Sequence, residues 1–136
     1  MKFFSFITVF VIVLAFSMNA QVITVDPEFP TDADAVVVTF DATEGDGGLE
    51  GFTGDVYAHT GVITNQSASG SDWRYAPDWG DNDDKYKLTR IDTDLYELEI
   101  APSIREYYGV AVGETVEELA FVFRGAEPGD PTGRDV

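Results

Sequence analysis

"KYKLTRIDTDLYELEI", Lys85–Ile100, alternates apolar and polar residues on both sides of a short Asp92-Thr93 turn. Tyr86 and Leu88 fall on one face and Lys85 and Lys87 on the other, while Tyr96, Leu98 and Ile100 oppose Glu97 and Glu99. A side-chain period of two belongs to strands with one dry and one wet face, so this stretch reads as a β-hairpin. It sets the fold class for the chain around it.

Upstream, "VITVD" (Val22–Asp26) is β-branched and closed by Pro27, and "AVVVTFD" alternates Val36, Val38 and Phe40 with Val37 and Thr39. "DVYAHTGVI", from Asp55, has the same strand composition; the glycine- and acid-rich "ATEGDGGLEGFTGD" before it reads as a long loop. Downstream, Pro102 and Ser103 open "PSIREYYGV", which suits one or two helical turns ahead of Gly109. "ELAFVFR" (Glu118–Arg124) is apolar on both faces and reads as a central strand covered on both sides. Six or seven short strands separated by turns predict an all-β fold, an antiparallel β-sandwich with one short helical connection. The turn-rich end "GAEPGDPTGRDV" has no apolar run after it, so the sandwich is expected to lack its last strand, the chain being a fragment of a longer protein.

The first 20 residues, "MKFFSFITVFVIVLAFSMNA", carry one positive charge at Lys2, an apolar run from Phe6 to Phe16 and a small residue at Ala20. These are the parts of a secretory signal peptide cleaved after Ala20; the run is shorter than the roughly 20 residues of a membrane span. The expected organisation is a signal peptide over 1–20 and one sandwich domain over 21–136, secreted or at the cell surface, with no membrane contact after cleavage. The chain has no cysteine, which excludes a lipoprotein-type anchor and a disulfide scaffold. Its formal charge of −17 becomes −18 once Lys2 is removed. Such a surface repels nucleic acid and anionic lipid, so neither is expected as a partner.

Both tryptophans fall in "SDWRYAPDWGDNDDK", Ser71–Lys85. Sugar-binding surfaces lay the apolar face of a pyranose on an aromatic ring and bond its hydroxyls to nearby carboxylates and basic groups, and large stiff aromatics give contact area at low entropic cost. Trp73, Tyr75 and Trp79 are the candidate stacking rings, Asp78 a candidate acceptor, and Arg74 and Lys85 candidate donors. The competing reading buries the indoles in the sandwich, as such folds commonly do. Residues 73 to 79 fully extended would hold the rings about 20 Å apart, so Pro77 and Gly80 must fold the segment back for the rings to act together.

Other constellations are weaker. His59, the sole histidine, reads as a packed or hydrogen-bonded strand residue, because no cysteine or second histidine exists to complete a metal site. The acidic runs Asp81–Asp84 and Asp41–Gly48 offer oxygen ligands to calcium, but neither has the spacing of an EF-hand loop, and no cofactor or metal residue is assigned. "NQS" (Asn65–Ser67) is a formal glycosylation acceptor. The sequence holds no Gly-x-Ser-x-Gly, His-Glu-x-x-His or phosphate-cradling glycine loop, so no catalytic residue is assigned.

The stretches "VYAHTGV", "SDWRY", "SIREYYGV" and "LAFVFR" together resemble the N-terminal immunoglobulin-like domain of secreted bacterial α-amylase-family glycoside hydrolases, a sandwich akin to starch-binding modules. The resemblance covers nearly all of the chain after Ala20. It implies a non-catalytic accessory domain that binds starch-like α-glucan weakly and precedes a catalytic domain of the same protein. Several such sandwiches only pack on the catalytic barrel, so a structural spacer is the alternative it implies.

Overall fold

The computed structural model describes residues 21–133, in which seven strands form: β1 (Ile23–Asp26), β2 (Val36–Asp41), β3 (Val56–Thr64), β4 (Thr89–Asp92), β5 (Leu95–Ile100), β6 (Val116–Gly125) and β7 (Thr132–Gly133). The signal peptide expected over 1–20 lies outside the described residues. All strand pairs are antiparallel, and they make two sheets in the orders β1-β2-β5-β4 and β3-β6-β7. This is the four-plus-three arrangement of an immunoglobulin-like sandwich.

The core lies between the sheets and is set by the period-two pattern. Val36, Val38 and Phe40 of β2 and Tyr96, Leu98 and Ile100 of β5 point inward and are buried, paired in register across the ladder. From the other sheet come Val56, Ala58, Thr60 and Val62 of β3 with Phe121 and Phe123 of β6. Phe40 stacks on Phe123 with ring centroids 4.0 Å apart, joining the two sheets at the centre. Each fully buried side chain of this size contributes about 1.5–3 kcal/mol. Leu49 is fully buried too, although it belongs to the glycine-rich loop between β2 and β3.

The short helix α1 (Ile104–Tyr108) fills the expected connection between β5 and β6. Ser103 caps it by accepting from the Glu106 amide at 3.1 Å, and Gly109 ends it with φ 70°. Inside the sandwich Tyr108 and Thr60 join their hydroxyls at 2.7 Å.

Three expectations are corrected. Lys85–Ile91 is not one hairpin strand: Asp84–Tyr86 is a 3-10 turn capped by Asp83, and Lys87 pairs with Tyr57 of the opposite sheet before β4 begins at Thr89. The segment crosses between sheets, which buries Tyr86 and Leu88 as the alternation requires and leaves all of β4 exposed. The β4–β5 turn sits at Thr93-Asp94, not Asp92-Thr93, because Asp92 pairs with Leu95 and Asp94 takes the left-handed φ of 56°. The tail, read as turn without a strand, gives two residues to the sheet, since Thr132 and Gly133 pair with Arg124 and Phe123. The glycine and proline turn of 126–131 returns the chain to the edge of β6.

Candidate functional site

The inward faces of β3 and β6 belong to the core; their outward faces carry the site. On β3 the outward residues are Tyr57, His59, Gly61 and Ile63, and opposite them on β6 lie Arg124, Val122, Ala120 and Glu118. The segment after β3 returns along its free edge. Arg74 pairs with Val62 through two backbone hydrogen bonds of 2.8 and 3.0 Å, and Lys87 pairs with Tyr57. Fourteen residues, Arg74 to Lys87, thus run beside six of β3, Tyr57 to Val62, and the excess must leave the sheet edge as a loop.

Gly61 lets that loop lie down on the sheet. A Cβ there would meet Ala76 Cβ and Arg74 O at 3.0 Å and Trp73 Cβ at 3.3 Å, so the backbone of 73–76 occupies the space a side chain would take. Trp73 then settles beside His59, their rings 5.8 Å apart and inclined by 26°. Trp79, at the loop tip, reaches the same imidazole at 5.1 Å and 61°. The three rings form a row, Trp73–His59–Trp79, on the outer surface.

Neither indole enters the core. Trp73 is half-buried, and Trp79 is 60% exposed. What holds Trp79 is Arg124, whose guanidinium lies 6.0 Å from the indole centroid and 5.5 Å from the Tyr57 ring. Arg124 itself is buried and has no carboxylate partner among the described residues. It donates to the Asp81 carbonyl, to Asn82 Oδ1 at 2.8 Å and to the Gly125 carbonyl at 3.0 Å. Asn82 completes the clamp by donating Nδ2 to the Ala126 carbonyl at 3.1 Å. The loop tip is fixed to the β6–β7 hairpin, and one indole is held open to water.

The side-chain nitrogens His59 Nδ1 and Arg124 Nε are buried without a hydrogen-bond partner among the described residues, and both flank Trp79. Burial and, second, the Arg124 charge hold the His59 pKa below its ordinary 6.5, which keeps the ring neutral and its aromatic row uncharged near neutral pH.

Not every residue expected at the sugar surface is brought there. Arg74 and Tyr75 turn to Glu114: Arg74 Nε donates to Oε1 at 2.5 Å, the Tyr75 hydroxyl donates to Oε2, and Thr64 Oγ1 donates to Oε1 at 2.6 Å. Tyr75 has φ 59°, and this kink redirects its side chain to the loop before β6. Lys85 is likewise engaged elsewhere, donating Nζ to the Tyr107 carbonyl at 2.9 Å and lying over the Tyr86 and Tyr107 rings. These three residues brace the fold. Asp78 is exposed next to Trp79 in the loop.

His59 and Arg124 were not singled out from the sequence as sugar-site residues. For His59 a signal was there. A glycine inside a strand marks close backbone approach, and counting by two from Gly61 puts His59 on the approached face. Among the described residues no group of three or more His, Asp or Glu side chains is placed to hold a metal ion.

Fold and surface together define an immunoglobulin-like sandwich domain whose three-stranded sheet carries an aromatic row with one exposed indole. Comparison with models of known protein families gives no match, and comparison with curated proteins gives none.

Proposed function

We propose that this chain is a non-catalytic accessory domain of a secreted α-amylase-type glycoside hydrolase, and that it binds starch-like α-glucan through Trp79, His59 and Trp73. The observation that carries the reading is the indole of Trp79, 60% exposed yet held from beneath by Arg124. A large apolar ring that is rigid in the free protein loses little entropy when a sugar stacks on it.

The shape of the row favours a curved ligand. Trp73 and Trp79 are inclined to His59 by 26° and 61°, so their own planes differ by at least 35° (61° less 26°). A β-linked ribbon presents its rings in one plane and needs coplanar partners, whereas an α-1,4-linked chain coils and turns successive rings. The function is avidity: a modest site raises the local concentration of substrate at a catalytic domain of the same protein.

Affinity electrophoresis in amylopectin gels tests the reading. Retardation that Trp79→Ala removes is the expected result, and unchanged mobility of the unmutated domain overturns it.

The alternative, a spacer that packs on a catalytic domain, also has one observation in its favour. Phe29 is 87% exposed and Val112 fully so. The loops that carry them are both tied to Arg105, which pairs with Asp32 at 2.5 Å and donates to the Ala111 and Glu114 carbonyls. Rigidly held exposed apolar side chains suit a docking contact. On this reading Phe29→Ser with Val112→Ser loosens the full-length enzyme, while glucan retention by the unmutated domain is nil.

A further inference from the structure

Beside the aromatic row, between the Trp79 loop and the β6–β7 hairpin, lies a cleft of about 480 Å³, within the size range of small-molecule sites. Trp79, Asn82, Arg124, Glu127, Asp130 and Thr132 line it. We propose that this cleft is a second sugar position continuous with the row, with the Trp79 indole as stacking wall and Glu127, Asp130 and Thr132 as hydroxyl partners. The inference rests on the α-glucan reading and names the residues that would extend it.

Three observations carry it. Arg124 is 4% exposed, with both terminal nitrogens spent on the Asp81 and Gly125 carbonyls and on Asn82, so the guanidinium that faces the indole at 6.0 Å is fixed in place. Asn82 is the brace: both ends of its amide are spent, on Arg124 and on the Ala126 carbonyl. Asp130 spends Oδ2 on the Glu127 amide at 2.9 Å, which fixes the turn opposite the indole, while Glu127 leaves its side chain exposed.

The lining also selects the ligand class. One guanidinium and two carboxylates leave the lining net negative, which repels simple anions. A neutral polyol is not repelled, because each hydroxyl both donates and accepts. With the indole as a stacking wall, that chemistry is a hexose unit.

Calorimetric titration of the full chain with maltose, maltotriose, maltotetraose and maltopentaose tests the proposal, comparing the unmutated protein with Glu127→Ala/Thr132→Val. The variant is expected to bind maltose as the unmutated protein does and the longest oligosaccharide about tenfold more weakly, the loss of one or two hydrogen bonds. Equal affinities at every length, or an equal loss at every length, overturn the cleft and leave the aromatic row standing. Failure of the unmutated protein to bind any of the four overturns both. Thermal unfolding of the variant serves as the folding control. Should the double variant unfold, Glu127→Ala alone, at an exposed position, carries the same comparison.

Discussion

The imidazole of His59 lies 5.1 Å from the indole of Trp79, edge to ring at 61°, although nineteen residues of chain and a change of direction separate them. That contact makes an exposed tryptophan part of a surface instead of a stray side chain. It also puts the sole histidine of the chain where its protonation state bears on the site.

Trp79→Ala is expected to cost binding and spare the fold. A stacking tryptophan at the centre of a contact is commonly worth about 2 kcal/mol or more, roughly thirtyfold in affinity. An exposed side chain outside the core costs about 0.5 kcal/mol of stability. Denaturant unfolding and oligosaccharide titration of the same preparation measure the two separately, and maltooligosaccharides should perturb the tryptophan fluorescence of the unmutated protein.

Gly61→Ala should act on the site from beneath. The new methyl would press on Arg74 O and the Cβ atoms of Ala76 and Trp73, all belonging to a segment pinned by the Val62–Arg74 pair. Relief requires lifting that segment, at about 1–3 kcal/mol for overpacking. Weaker unfolding midpoints together with loss of glucan retention are the expected signs. Retention at full strength would show that the loop does not need to lie flat.

Acid should destabilise the domain in two steps. The His59 pKa is lowered by burial first and Arg124 second, so below its ordinary 6.5 the unfolded chain takes up a proton the folded one refuses. Stability from this source is complete above 6.5 and lost as the pH falls through the lowered value. Glu114 is held below its ordinary 4.5 by the Thr64 hydroxyl, then by Tyr75 and Arg74, against the opposing effect of burial. Its contribution is complete above 4.5 and disappears as the pH falls through its own lowered value. Denaturant midpoints between about pH 8 and about pH 3 should lose the upper step in His59→Gln and the lower one in Glu114→Gln.

The buried hydroxyl pair gives an unequal test. Thr60 Oγ1 donates its single hydrogen to the Ala120 carbonyl at 2.7 Å, so Tyr108 is the donor in their 2.7 Å contact, and burial raises the Tyr108 pKa and keeps that proton in place. Tyr108→Phe removes one bond and leaves Thr60 satisfied, at about 1 kcal/mol. Thr60→Val strands the Tyr108 hydroxyl in the core and should cost more, about 1–3 kcal/mol, by thermal or denaturant unfolding.

Much of the sandwich was legible in the chain because side-chain alternation is local. Val36, Val38 and Phe40, or Tyr96, Leu98 and Ile100, show by their spacing that one face is dry, whatever the partner turns out to be. The cap at Ser103 and the stop at Gly109 are equally local, and α1 lies where they put it. Even Tyr86 and Leu88 are buried as their spacing requires.

Which sheet a segment joins is another matter. Alternation assigns a face but not a neighbour, and Lys87 found Tyr57 across the sandwich where a continuous hairpin was expected. The aromatic residues of the loop divided for the same reason. Tyr75 met Glu114, thirty-nine positions on, while Trp79 met His59 behind it and Arg124 ahead. The sequence by itself determined an acidic all-β chain with both indoles in one loop. Only the tertiary structure decided that one of them faces water, because the residues that hold it there come from β3 and β6, brought together by long-range pairing that no local pattern encodes.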